Sequence, residues 1–307
     1  MGIWLPNELN DDRDAVMSAV RKDGSAISLA SLRFRADRDV VLEACKSCEW
    51  VLGYASPELR KDKELVLIAC RSHGRALKYV SDELKYDREV VMTAVRSEGR
   101  ALEYAPDLFT RDLEIVYEAV RNSGLALWYA AEELKYDRKL AFTAVKTDGS
   151  ALYCVPEELR DYELVLEAVK TYGRAIDYAP EVLKTDRNII LTALGNSRWP
   201  LEYVTGSLEN DEEVILTAAE TIKRTINHFE YYDDDGYPTI LDSALEHASK
   251  ALRSNKDFVI RIVSINGLEL EYADEKLKAD IDVVKAAVSN DKRAIKYAHV
   301  LLDTPGQ

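Results

Sequence analysis

The stretch Asp87-Arg88-Glu89-Val90-Val91-Met92-Thr93-Ala94-Val95-Arg96-Ser97-Glu98-Gly99-Arg100-Ala101-Leu102-Glu103-Tyr104-Ala105-Pro106-Asp107-Leu108-Phe109-Thr110-Arg111 is one period of a pattern that begins again at Asp112. The unit opens on Asp12, Asp37, Asp62, Asp87, Asp112, Asp137, Asp161, Asp186 and Asp211, then on Asn255 and Asp280. Eight of the ten steps are 25 residues; one is 24 (Asp137 to Asp161) and one is 44 (Asp211 to Asn255). A fixed short period is what a stacked array produces, because each unit buries its apolar face only against its neighbours. For 307 residues the length prior is two globular domains, and the repeat overrides it. The chain reads as a single array over 1–307, with about nineteen extra residues near 229–247.

With the opening Asp numbered position 0, the unit can be read as physics. Asp or Asn at position 0 suits an N-cap, accepting from an otherwise unpaired helix N–H. Acids at position 2 (Asp14, Asp39, Glu64, Glu89, Glu114, Glu163, Glu213) complement the positive end of the helix dipole. Apolar residues at positions 3, 4, 5, 7 and 8 have helical spacing with a broad buried face. Position 7 is Ala in ten units, which lets neighbouring helices approach closely. Gly at position 12 is expected to be a left-handed C-terminal cap. Positions 13 to 18, as in Arg75-Ala76-Leu77-Lys78-Tyr79-Val80, read as a short second helix. A turn such as Ser56-Pro57-Glu58-Leu59 follows and starts a further helical turn. The expected fold is an all-α, elongated solenoid of about eleven units, each a long helix, a short helix and a helical turn. Pro6-Asn7-Glu8-Leu9 matches a closing turn with no unit before it, so the array reads as cut at its ends or as part of a longer one.

These residues resemble a helical repeat family of unknown function found in bacterial and protist proteins. Its consensus runs D-R-x-x-V-x-x-A-V-x-x-x-G-x-A-L-x-Y-A. Asp87-Arg88 through Val95, Gly99, Ala101-Leu102 and Tyr104-Ala105 follow it, and so does nearly the whole chain outside about 225–250. The resemblance implies a helical repeat fold and brings no catalytic residues with it.

Composition narrows the function classes. A net charge of −14 opposes binding of a polyanion, so nucleic acid is not an expected partner. No apolar run approaches a membrane span, and Met1-Gly2-Ile3-Trp4-Leu5-Pro6 is neither a signal peptide nor a myristoylation site. With four scattered cysteines, a cytoplasmic location is expected.

Four constellations could carry chemistry. Cys45 and Cys48 occupy positions 8 and 11 of one unit, and Cys70 and His73 the same positions of the next. Residues at i and i+3 share a helix face, so three thiolates and an imidazole could converge on a structural zinc ion. Against this, position 8 is normally Val, and a buried Cys substitutes for it as a small hydrophobe. The insertion carries Tyr231, Tyr232, Asp233, Asp234, Asp235 and Tyr237, a candidate contact surface for another protein. As a calcium loop it matches poorly, with Tyr231 and Pro238 at two positions that need other residues. Position 9 forms a basic ladder (Arg21, Lys46, Arg71, Arg96, Arg121, Lys146, Lys170), which helix dipoles alone would explain. Position 17 forms a tyrosine ladder, Tyr54 to Tyr297, read as packing.

No nucleophile elbow, zinc-protease motif or phosphate-binding glycine loop is present, and His73, His228, His247 and His299 are the only histidines. The chain is therefore not expected to be an enzyme. The expected function is a protein-interaction scaffold whose partner is another protein. A structural-zinc module, and an inert spacer or fragment of a larger protein, are the alternatives. The sequence leaves the oligomeric state open.

Overall fold

The computed structural model describes residues 10–196, 199–226 and 243–299. The described residues are helical, and no strand occurs among them. The chain divides into two compact units, Met1–Arg160 and Asp161–Gln307.

The first holds six long helices: α1 (Arg13–Lys22), α2 (Arg38–Ala44), α3 (Lys63–Ser72), α4 (Arg88–Ser97), α5 (Leu113–Asn122) and α6 (Arg138–Thr147). Each packs on the next in chain order. The second holds α7 (Tyr162–Thr171), α8 (Arg187–Asn196), α9 (Glu212–Ile226), α10 (Lys256–Ile265) and α11 (Ile281–Asn290), again packed in sequence. The opening residue caps as its chemistry requires. The Asp87 carboxylate accepts from the Glu89 and Val90 backbone N–H groups, and Asp12, Asp62, Asp137 and Asn255 act alike. Positions 3, 4, 7 and 8 form the core: Val90, Val91, Ala94 and Val95 in α4 are fully buried.

The second segment is a 3₁₀ helix, as at Gly74–Tyr79, Gly99–Tyr104 and Gly124–Tyr129, whose positions 14 and 15 join the core. A four-residue α-turn closes most units, as at Asp82–Lys85.

Gly at position 12 is not a left-handed cap. Among the described residues only Gly206 has positive φ. Position 11 ends the long helix instead, in extended backbone, with its N–H returned to the position 7 carbonyl (Ser123 N to Ala119 O, 2.9 Å). Glycine is needed for a different reason. A Cβ on Gly99 would fall inside the contact radius of that same Ala119 carbonyl oxygen, one unit along. Gly24, Gly74, Gly124 and Gly267 meet Ala44, Ala94, Ala144 and Ala287 in the same way. Ala at position 7 and Gly at position 12 are thus two sides of one close approach between successive units.

Three further ties repeat between units. The position 10 side chain bonds back to the preceding unit: Gly99 N–H donates to Asn122 Oδ1 (2.6 Å), and Asn122 Nδ2 donates to the Arg96 carbonyl (3.1 Å). The position 19 N–H donates to the position 23 carbonyl before it, as in Ser56 to Arg35 (2.9 Å) and Asp274 to Arg253 (3.0 Å). The position 1 cation bridges the next unit's positions 0 and 2. Arg38 meets Asp62 and Glu64 at 2.7 Å each, and Lys63 meets Asp87 and Glu89 at 2.7 and 2.9 Å. Lys256 meets Asp280 and Asp282 at 2.8 and 2.7 Å. The acids at position 2 therefore face a cation as well as the helix dipole.

Two of the units that lack glycine at position 12 depart from this pattern, whereas the last, with Lys292 there and no following unit among the described residues to approach, keeps it. Glu49 stands at position 12 of the second unit, and there α2 stops at Ala44, with an α-turn (Val51–Tyr54) in place of the 3₁₀ segment. Lys223 stands at position 12 of the ninth, and α9 runs on to Ile226.

Candidate interaction surface

The predicted zinc ligands do not form a metal-holding group, although Cys45 lies near both Cys48 and Cys70. Among the described residues, no three His, Cys, Asp or Glu side chains are arranged to hold a metal ion. Cys45 and Cys70 lie in the core, as Val does at position 8 elsewhere. Burial pushes both thiols up to about 12, with a neighbouring cysteine adding to the shift, so they are protonated at neutral pH. Cys48 belongs to the turn beyond the shortened α2, and its thiol is also raised by burial. His73 is the extended C-cap residue of α3, with Nε2 buried and unpartnered. The i and i+3 spacing suggested convergence because it assumed one continuous helix. Position 11 falls outside that helix in both units.

Tyr231, Tyr232, Asp233, Asp234, Asp235 and Tyr237 lie outside the described residues, as does His228. The resumed end of the insertion is described from Ser243 onward. Ala244 and Leu245 are fully buried, and the Ser249 N–H reaches the Glu209 carbonyl, the position 19 to 23 tie of a regular unit.

The basic ladder is mostly neutralised. Lys46 pairs with Glu43 at 2.7 Å, Arg96 and Arg121 share Glu118 at 3.2 Å each, and Lys170 pairs with Glu167 at 2.8 Å. Among the described residues Arg21, Arg71 and Lys146 make no ion pair, and Arg71 lines an open groove of about 820 Å³ with Arg88, Glu89, Met92, Arg96 and Glu114. The tyrosine ladder is half-buried. Lys78 lies 5.7 Å from both the Tyr79 and the Tyr104 ring centres, and the Tyr203 hydroxyl donates to Asp177 at 3.1 Å.

Position 16 departs from the repeat's own rule. It points outward from the short segment and is small or polar elsewhere: Ser28, Gly53, Lys78, Glu103, Asp177, Glu202, Glu271 and Lys296. In two successive units of the first compact body it is Trp128 and Tyr153. Their rings stack at 5.5 Å with 10° between planes, while each side chain stays 52% exposed. Lys135 sits 5.9 Å from the Trp128 ring centre. Leu108 and Tyr136 in the same body are also exposed. Two aromatics in an otherwise small or polar column are visible in the sequence beside the tyrosine ladder one position later.

A family described as Domain of unknown function (DUF4116) matches the chain at residues 12–60, 37–85, 62–110, 87–135, 112–160, 137–184, 161–209, 239–278 and 255–302. The matches overlap with the period of the repeat and span well over half of the sequence, so the chain belongs to this family. No curated protein and no solved structure matches it significantly.

Proposed function

We propose that this member of the DUF4116 family is a non-catalytic scaffold that binds another protein. The observation that supports the reading is the exposed Trp128–Tyr153 stack. Burial in the repeat is met by positions 3, 4, 7, 8, 14 and 15, so the fold has no need of large aromatics at position 16. Half-exposed Trp and Tyr offer a partner large, rigid contact area with little side-chain entropy to lose. The inserted residues Tyr231, Tyr232, Asp233, Asp234, Asp235 and Tyr237 form a second proposed contact, since insertions in repeat arrays favour the binding face.

Affinity capture from a lysate of the source organism tests this with three baits: the intact chain, Trp128→Ser/Tyr153→Ser, and a chain lacking 229–242. A partner kept by the intact chain and lost by the double variant, with thermal melting unchanged, is the expected outcome. Equal retention by all three baits refutes both contacts. The absence of any retained partner favours a spacer.

A further inference from the structure

Position 14 of the unit is a buried small residue: Ala26, Ala76, Ala101, Ala126, Ala151, Ala175 and Ala294, with Val51 in the second unit. In the tenth unit it is Glu269, whose side chain is 1% exposed. Burial pushes its carboxyl above the usual carboxylate range, while surrounding donors pull the other way. A carboxylate in an alanine column is costly unless its oxygens are bonded.

They are bonded, and the donors come chiefly from the resumed end of the insertion. Glu269 accepts from the Leu245 N–H at 2.8 Å, the Ala244 N–H at 3.3 Å, the Ser243 hydroxyl and, within its own unit, Asn266 Nδ2 at 3.3 Å. In a regular unit the position 14 donor is served locally. The position 14 N–H goes to the carbonyl of the helix-ending residue three before it, as in Ala76 to His73 (3.0 Å) and Ala101 to Glu98 (2.9 Å). An Asp at that helix end also accepts the position 13 N–H, as Asp23 does from Ser25 (2.9 Å). In the ninth unit nineteen extra residues lengthen the period between its opening Asp211 and the resumed second half at Ser243. Ala244 and Leu245 enter the core at positions 14 and 15 of the resumed half-unit, and their N–H groups reach the Glu269 carboxyl of the following unit.

We propose that Glu269 caps the resumed half-unit from the following unit, so that Ser243, Ala244, Leu245 and this glutamate form one clasp that seats the returning chain in the repeat stack. Two departures from the repeat, a broken period and an acid in an alanine column, then have one cause. The clasp gives the inserted segment a fixed seat at its C-terminal end. It stands independently of the proposed binding role.

The test compares Glu269→Ala with the parent, in the full chain and in a chain shortened by removing residues 224–242 to restore the 25-residue period. Hydrogen exchange is read by mass spectrometry on peptides covering 243–248. In the full chain, Glu269→Ala is expected to accelerate exchange there by about tenfold or more, through loss of the acceptor for the Ala244 and Leu245 N–H groups. Peptides from the first compact body should not change. In the shortened chain Ser243 directly follows Lys223 at position 12 and the regular bond from the position 14 N–H to the position 11 carbonyl becomes available, so the same substitution should cost less stability than in the full chain, or none. Unchanged exchange at 243–248 in the full chain overturns the proposal, whether or not the shortened chain folds. Equal destabilisation in both backgrounds overturns it too.

Discussion

At Gly99 one hydrogen atom in place of a methyl group sets the spacing of two repeats. A Cβ there would collide with the Ala119 carbonyl oxygen and stand 3.0 Å from the Ser123 nitrogen, both backbone atoms that cannot rotate away. Gly99→Ala should therefore lower stability by about 2 kcal/mol or more in urea unfolding. Gly195 lies within α8, where an added Cβ meets nothing within 4 Å. Gly195→Ala should gain about 0.5–1 kcal/mol, the ordinary helix propensity difference. If glycine at position 12 served only the chain's own turn, the collision across units would be irrelevant and Gly99→Ala would be mild. The sequence made Ala at position 7 legible as a small residue for close packing. It did not reveal what approaches, because a glycine after a helix serves a left-handed cap or a backbone contact equally well. Glu269 and Trp128 were visible as misfits in their columns, but their contacts depend on which units are neighbours and how their side chains turn.

Among the elements, the long helices were readable from apolar spacing and opening Asp residues, and the short segments as helical. That the latter are 3₁₀ follows from the tight exit after position 11, which no residue type announces. The cation of each Asp-Arg or Asp-Lys pair was the largest unread signal, since its partners lie 24 and 26 residues away. These pairs are partly exposed, so each contributes little by itself. Their pH dependence has a definite sign. Hydrogen bonds from Arg38, Lys63, Arg187 and Lys256 hold Asp62, Asp87, Asp211 and Asp280 below the usual carboxylate range. A carboxyl depressed in the folded state stabilises it above the unfolded value, about 3.9, and that stability is lost as pH falls through the lower folded value. The urea midpoint should accordingly drop on acidification below about pH 4. The triple variant Lys63→Met, Arg187→Met, Lys256→Met should show a shallower acid limb. An acid limb of unchanged slope in that variant would remove the ladder from the account.

For the molecule as a whole, the period carried the fold and left the function largely unread. The cysteine cluster dissolved into the core because position 8 faces inward and position 11 lies beyond the helix. The charged column at position 9 is largely internal pairing. What distinguishes this chain from its own repeat is confined to a few positions: the Trp128–Tyr153 stack, the insertion and Glu269. Apart from these and the irregular helix ends of the second and ninth units, the ties recur, and the fold is modular. If each unit is held only by ties to its neighbours, a further unit in register should be accepted. The direct measurement is urea unfolding, followed by circular dichroism, of a chain in which residues 87–111 are duplicated ahead of Asp112. Every tie has its partner in that chain, from Arg88 meeting the second Asp87 to Gly99 meeting the second Ala94. It should fold with one more unit of helical signal, a steeper denaturant slope and a midpoint no lower than the parent's. A misfolded or clearly destabilised product, no better than one carrying an out-of-register insertion of 20 residues, would contradict a fold built from nearest-neighbour repeats.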